Sequence, residues 1–488
     1  MNRFAWLALF AACSAPAAAP QAPAAWISDT STFGQNTSQS TAIADRYRGV
    51  AQQILAAAHG DRSAYQHLAD LTVTVGHRLA GSPELDRAVL WGVAAMKAEG
   101  LTNVHTEKVM VPHWARGVEE AAIVTPHEHP LRVLGLGGSV GTVKGGVTAP
   151  LVVVHDWKEL EAQKDRVQGA IVLYDVAMPA FDPHATEDAT GYGRTVAYRF
   201  RGASEAAKRG AVAVLMRSVT ARSLGTLHAG AMGYAADAPK IPAAAVTVED
   251  AELLDRMVRR GPVTIHLRLD DQLLPDVESA NVIGDLVGKD KPDELVVIGG
   301  HLDSWDVGQG AHDDGAGMVT MLGAAALIHK LGLQPHRTIR VVFWVNEENG
   351  ARGAKAYAEA HKTELANTVL AVEHDTGGFA PQGFRAEHRD KAAAQRMVAR
   401  IAEIASLLQP LHATRVRESE GGTDIAPMQA AGVPQVGLWV DMSTYFDYHH
   451  TDADTLDKVD PQLISDDVAA VAVLAYVVAD LPGRVDAP

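Results

Sequence analysis

From Leu295 onward, short, largely apolar runs alternate with stretches of helical period. The runs are Leu295–Ile298, Ile339–Val345 (IRVVFWV), Val369–Val372 and Val436–Val440. Between them, Gly317–Leu331 and Ala351–Ala366 read as helices. Alternating strands and helices with short connections imply parallel strands joined by right-handed crossovers. The expected fold is therefore α/β, with a doubly wound, mostly parallel central sheet.

The pattern before Leu295 has two textures. Ile43, Tyr47, Val50, Ile54 and Leu55 recur at helix spacing, so Thr41–Ala58 reads as a helix. A second helix starts at Ser82-Pro83, a capping residue followed by proline in the first turn, and ends at Gly100. Asn103–Val111 reads as a strand. In Pro126–Leu269 the strands Leu151–His155, Ala170–Tyr174, Val212–Met216 and Val263–Leu269 alternate with helices near Ser204–Lys208 and Glu249–Val258. Thr247 and Asp250 are spaced as a capping box. This segment holds His155, Asp175, Asp182 and His184, which form no coincident cluster in sequence. It reads as a non-catalytic domain (126–270) inserted between two parts of a catalytic domain (41–125 and 271–484). Its loops at Gly191–Gly193 and Gly225–Gly233 are placed to overhang a site.

Composition narrows the setting. The 488 residues carry a net charge of −16 with no basic block, which disfavours nucleic acid and anionic membrane surfaces as partners. Residues 1–25 have the form of a secretory signal: Arg3, an apolar core Phe4–Ala12, then SAPAAAP. Residues 26–40 read as a linker. The single cysteine, Cys13, lies inside the signal, either as a lipid-anchor site or as a bystander cut off after Ala17–Ala19. Both readings export the protein, to the periplasm or beyond. No disulfide framework and no thiolate metal site is available to the rest of the chain.

The chemistry sits just past the apolar runs. Leu295–Ile298 leads through Gly299-Gly300 to His301 and Asp303, and Asp313 follows between Gly310 and Gly315. Ile339–Val345 leads to Glu347-Glu348, Val369–Val372 to Asp375, and Val436–Val440 to His449-His450. Any one of these is most often a solvated loop residue or a helix cap. Four consecutive strand ends each delivering a metal-ligand type are a different matter, because ligands of open α/β sheets bind at the carboxyl ends of the strands. The set is large enough for two metals, with Asp313 the best bridge. The glutamate pair can split its roles, one holding metal and the other accepting a proton from the attacking water. Asp303 can hold the other nitrogen of His301. The string His127-Glu128-His129 lacks the spacing of a zinc-binding HExxH helix.

The strings GGHLDSWDVGQGAHDDGAG (Gly299–Gly317), WVNEENGARGA (Trp344–Ala354), VEHDTGG (Val372–Gly378), GGTDIAPM (Gly421–Met428) and YHHTDADTLDKV (Tyr448–Val459) resemble the co-catalytic zinc exopeptidase family, which includes leucyl aminopeptidases and glutamate carboxypeptidase II. Gly76–Ala88 resembles its N-terminal signature, and SWDVGQG points to the carboxypeptidase Q branch. The resemblance implies two zinc ions (Zn2+) held by His301, Asp375, Glu348 and His450, bridged by Asp313, with Glu347 as general base and Asp303 supporting His301. It implies a cis Asp313–Asp314 bond, a protease-associated identity for the insert, short peptide substrates, and it admits a homodimer. His450 rather than His449 precedes the family's threonine. Tyr448, His449 and Arg352 are the substrate-binding candidates, with Arg385 a second cation and Asp441 a further neighbour. Which peptide end is held stays open between carboxypeptidase, dipeptidase and aminopeptidase. A metal-free receptor-like protein and a single-zinc glutaminyl cyclase are the rival readings; the full ligand set speaks against the first, and the bridging Asp313 and the insert speak against the second.

Overall fold

The computed structural model describes residues 41–185 and 189–488. The signal segment, Cys13 and the linker lie outside the described residues. Each of the four apolar runs lies in a strand of the main sheet, Val345 falling one residue past the end of its strand. That sheet consists of β1 (Thr102–Ala115), β2 (Gln272–Leu286), β3 (Lys291–His301), β4 (Arg337–Trp344), β5 (Thr368–Glu373), β6 (Pro381–Glu387), β7 (Arg415–Glu418) and β8 (Gln435–Val440). Their order is β1-β2-β4-β3-β5-β8-β6-β7.

Successive side chains of a strand face opposite sides, and here the two sides feed two cores. Val296, Ile298, Ile339, Val341 and Phe343 join the larger one, with helices Gly317–Lys330 and Pro461–Asp480. Leu295, Val297, Val342 and Trp344 join the other, with Tyr357 from helix Arg352–Ala360. Burial on both faces is why these runs carry no polar alternation.

The parallel arrangement is confined to the centre. β4, β3, β5 and β8 run parallel, as do β6 and β7. β1 with β2, β2 with β4, and β6 with β8 are antiparallel. The expectation of a mostly parallel sheet is corrected at the edges, where β1 and β2 form a long two-stranded ribbon that no helix crossover constrains. Two helices also differ from the reading. Helix Arg352–Ala360 stops six residues short of Ala366, and the helix read near Ser204–Lys208 spans Tyr192–Ala207. Ser82 caps its helix as read, its hydroxyl accepting the Leu85 N–H.

A second eight-stranded sheet takes its strands from Glu119–Thr125 through Thr264–Leu269. Glu119–Thr125, assigned above to the catalytic part, therefore pairs into this second sheet.

Candidate metal centre

The carboxyl ends of the central strands are pinned by side chains gripping backbone. Asp314 accepts the His301 N–H on Oδ2 (3.0 Å) and the Gly317 N–H on Oδ1 (3.1 Å). A Cβ at residue 300 would lie 2.2 Å from Asp314 Oδ2, which is why glycine stands there. Asp454 accepts the amides of His312 (2.7 Å) and Asp313 (3.1 Å). The Asp313–Asp314 peptide is cis. Arg78 is fully buried and gives its guanidinium to the carbonyls of Leu302, Gln309 and Gly310 at 2.6–3.0 Å. Arg78 and Asp454 lie in quoted motif strings, yet nothing in sequence separated a residue that holds loop backbone from its neighbours.

These loops bring five of the expected ligands together. Asp313 is the centre, with one oxygen toward each of two imidazoles: Oδ1 is 3.2 Å from His301 Nε2 and Oδ2 is 3.2 Å from His450 Nε2. Asp375 Oδ1 is 3.4 Å from His301 Nε2, and Glu348 Oε2 is 3.0 Å from His450 Nε2. The result is two poles sharing one carboxylate. His301 Nε2, Asp313 Oδ2 and Glu348 Oε1 are buried without a hydrogen bond. Buried polar atoms are rarely left so. A hard N/O donor set of this kind fits divalent zinc-type ions. Glu347, by contrast, is half-buried and outside the ligand contacts.

Several roles read from sequence change. The Asp303 carboxylate does not hold His301, since its backbone carbonyl accepts from Nδ1 (3.0 Å) while Oδ1 stands 3.8 Å away. That oxygen instead accepts the Glu347 N–H at 3.1 Å, so Asp303 fixes the glutamate pair. His449 does not face open space. It is buried, stacks on His450 at 3.5 Å between ring centroids, and packs among Tyr192, Tyr445 and Phe446. Tyr448 stacks on His312. Arg352 is turned away, paired with Asp276 at 2.6 Å and with the Met110 carbonyl. Tyr445, missed in sequence, is buried among the cluster's carboxylates.

The second sheet is also closer to the chemistry than its sequence suggested. Arg199, from helix Tyr192–Ala207, is 6 % exposed, and its Nη1 lies 3.5 Å from His450 Nδ1. It donates to the Ala229 carbonyl and to the Tyr192 hydroxyl, and its Nε is buried without a partner. The Ala229 N–H, in the loop expected to overhang the site, donates to the His450 carbonyl at 2.8 Å. Gly137 lies against Trp305 so closely that a Cβ there would sit 1.9 Å from the indole. Trp305 in turn meets the His450 ring edge-on. The insert does hold one cluster, His155 with Asp175 and Asp255. Arg217 and Arg259 already pair those carboxylates at 2.8 and 2.6 Å, making it an ion-pair network.

Electrostatics follow from crowding. Burial pushes the Glu348 carboxyl up to about 7, with the Asp313 charge adding and His450 opposing. Burial also holds Glu347 well above the usual carboxylate range; His301 opposes this, and Asp375, Glu348 and Asp303 reinforce it. For His450 burial works against the proton, but Glu348 and Asp313 win and raise it to about 10. Asp313 is resisted by burial yet held well below its ordinary value by His301 and His450. Without metal the centre therefore gathers protons, and divalent cations displace such protons from their ligands.

Comparison with known proteins agrees with this geometry. Residues 281–475 match the model of peptidase family M28. Carboxypeptidase Q of Mus musculus is 42 % identical over 439 residues, covering 89 % of this chain and 90 % of that protein. The Homo sapiens carboxypeptidase Q is 42 % identical over 418 residues, covering 86 % and 85 %. The crystal structure of a peptidase M28 precursor from Shewanella amazonensis superposes with a TM-score of 0.84 at 37 % identity, covering 90 % of this chain and 98 % of that one. With carboxypeptidase Q matched along nearly its full length and the ligand-type side chains gathered at the strand ends, the chain belongs to peptidase family M28 as a carboxypeptidase Q-like metallopeptidase.

Proposed function

We propose that the protein is a dizinc exopeptidase that removes a C-terminal residue from dipeptides or short peptides. The observation that carries the reading is Asp313 with one oxygen on each imidazole pole. His301 and Asp375 would hold one metal, Glu348 and His450 the other, and Asp313 both. When bound, the pair supplies Lewis acidity toward the scissile carbonyl and the attacking water. The chain's own residues do the rest. Glu347, free of the ligand contacts and fixed through its backbone by Asp303, takes the water proton and delivers it to the departing amine. The insert, whose sheet and position between two catalytic segments support a protease-associated identity, brings Arg199 to the His450 side. There the unpartnered Nε of Arg199 can donate to the free carboxylate of the leaving residue.

C-amidated dipeptides should consequently be turned over at least tenfold less efficiently than free ones, the loss falling mainly on KM. Arg199→Met should erase that difference. N-blocked dipeptides separate carboxypeptidase from dipeptidase action. Amidated substrates cleaved as well as free ones, with N-blocked ones refused, would instead show an aminopeptidase. A chain that purifies without metal and cleaves none would be the receptor-like rival.

We also propose that the protein is exported, on the strength of the apolar segment Phe4–Ala12 and the small residues after it. Intact mass of the chain recovered outside the cytoplasm checks this. A start at Cys13 with added acyl mass marks a lipid anchor, and a start beyond Ala19 marks a free enzyme. A cytoplasmic chain retaining Met1 sinks the proposal.

A further inference from the structure

The two poles of the centre are held from different parts of the chain. His301 presents Nε2 to the carboxylates and turns Nδ1 to the carbonyl of Asp303, two residues along, at 3.0 Å. His450 turns Nδ1 to the Ala229 carbonyl, 221 residues away in the insert, at 3.4 Å. A ring that gives Nε2 to a metal keeps its hydrogen on Nδ1, so the acceptor facing Nδ1 sets its tautomer and its plane. Arg199 donates to the same carbonyl at 3.3 Å. Ala229 also grips the main chain of His450, its N–H donating to the His450 carbonyl at 2.8 Å. One residue of the insert thus fixes both the ring and the backbone of a ligand. His450 needs such a hold, because its φ of 62° lies in the left-handed region that residues other than glycine rarely adopt.

The hold extends over the segment that carries His450. Tyr445 and Phe446 are buried in the same apolar cluster as Val154, Tyr174 and Met216 from the strands of the insert. Tyr192 stacks on Phe446 at 4.8 Å between ring centroids and meets His449 edge-on. Arg222 donates to Asp447 Oδ2 at 2.9 Å and to the Ser443 carbonyl at 3.3 Å. The Ala229 loop is itself anchored in the insert: the His228 N–H donates to the Ser218 hydroxyl at 3.1 Å, and the Gly137 N–H to the Gly230 carbonyl at 3.0 Å. Aromatic side chains cannot leave an apolar core without returning their area to water. Residues 442–450 are therefore fixed by the insert as much as by β8, from which they lead.

We infer that the insert is a working part of the metal centre: Ala229 is a positioning residue for His450, and occupancy of the His450–Glu348 pole depends on the insert's grip while that of the His301–Asp375 pole does not. The inference rests on the proposed dizinc reading and adds that its two sites are unequal. His301 and Asp375 follow β3 and β5 in the middle of the main sheet, and Asp314 and Asp303 hold His301 from within that sheet's own strand ends. Loosening the insert tilts the His450 ring away from Asp313 and Glu348 and leaves the other pole as it is.

Titration of the metal-free protein with Co2+, read by visible absorption, tests it. Two ions should bind, and the one lost in Glu348→Gln marks the His450 pole. Ala229→Pro removes the N–H that grips His450 and should weaken that site about 10–100-fold, the range for partners that orient a metal ligand. Arg222→Gln should weaken it about tenfold, and Arg222→Lys should recover part of the loss. Arg259→Gln is the matched control: Arg259 pairs with Asp255 at 2.6 Å inside the insert, at similar exposure to the Arg222–Asp447 pair, and its loss should change neither site. Selective weakening of the His450 site in Arg222→Gln or Ala229→Pro supports the inference. Equal loss at both poles, no change in either variant, or the same loss in Arg259→Gln overturns it and leaves the dizinc reading standing. Should Ala229→Pro not fold, Arg222→Gln, made on an exposed side chain, decides alone. Fewer than two ions on wild type fails the dizinc reading by itself. Amide hydrogen exchange of the metal-free protein then decides the inference: faster exchange over 442–450 in Arg222→Gln than in Arg259→Gln supports it, and equal exchange overturns it.

Discussion

Glu347→Gln is expected to retain its full metal content and lose about 10²–10⁴-fold in kcat, the contribution of a positioned general base. The expectation follows from how the two adjacent glutamates diverge. Glu348 is buried and meets His450 at 3.0 Å, inside the ligand cluster. Glu347 is half-buried, outside that cluster, with its amide fixed by Asp303. Glutamine keeps the shape of the side chain and removes its proton affinity, so substrate binding, and with it KM, should change little. Glu348→Gln is the matched contrast and should lose metal. Elemental analysis alongside kcat distinguishes the two. Metal loss from Glu347→Gln, or turnover near wild type, would falsify the assignment of the base.

Asp313→Asn should be more damaging. One carboxylate now serves both poles, with an oxygen 3.2 Å from each imidazole. An amide offers one oxygen and presents an NH2 group to the other pole, where a donor cannot ligate a cation. Metal content is expected to fall below two per chain and turnover to drop by several orders of magnitude. The loop itself should survive, because Asp454 and Asp314 hold its backbone through amides the substitution does not touch. Circular dichroism of the metal-free variant should therefore match metal-free wild type. A variant that keeps two metals and normal rates shows that Asp313 is not the bridge.

The sequence by itself determined the centre of the fold and the inventory of the site. Buried parallel strands must be apolar on both faces, so Leu295–Ile298, Ile339–Val345, Val369–Val372 and Val436–Val440 announced themselves, and their ends located the ligand-type residues. Local chemistry was equally legible at Ser82, whose hydroxyl and following proline specify a helix start within four residues. Tertiary structure alone decided what depends on meetings between distant segments. Strand direction at the sheet edges was one such matter, because an exposed ribbon such as β1–β2 imposes no periodicity that tells parallel from antiparallel. The partner of Asp303 was another: it lies 44 residues away at the Glu347 amide rather than on the neighbouring imidazole. Arg199 reaches His450 across 251 residues of chain, and Arg385 meets Arg417 only through strand register. An arginine in sequence is a charge without an address. Whether it pairs with an acid, as Arg352 does with Asp276, or comes to lie against a ligand-type imidazole, as Arg199 does, is settled by which surfaces the folded backbone brings together.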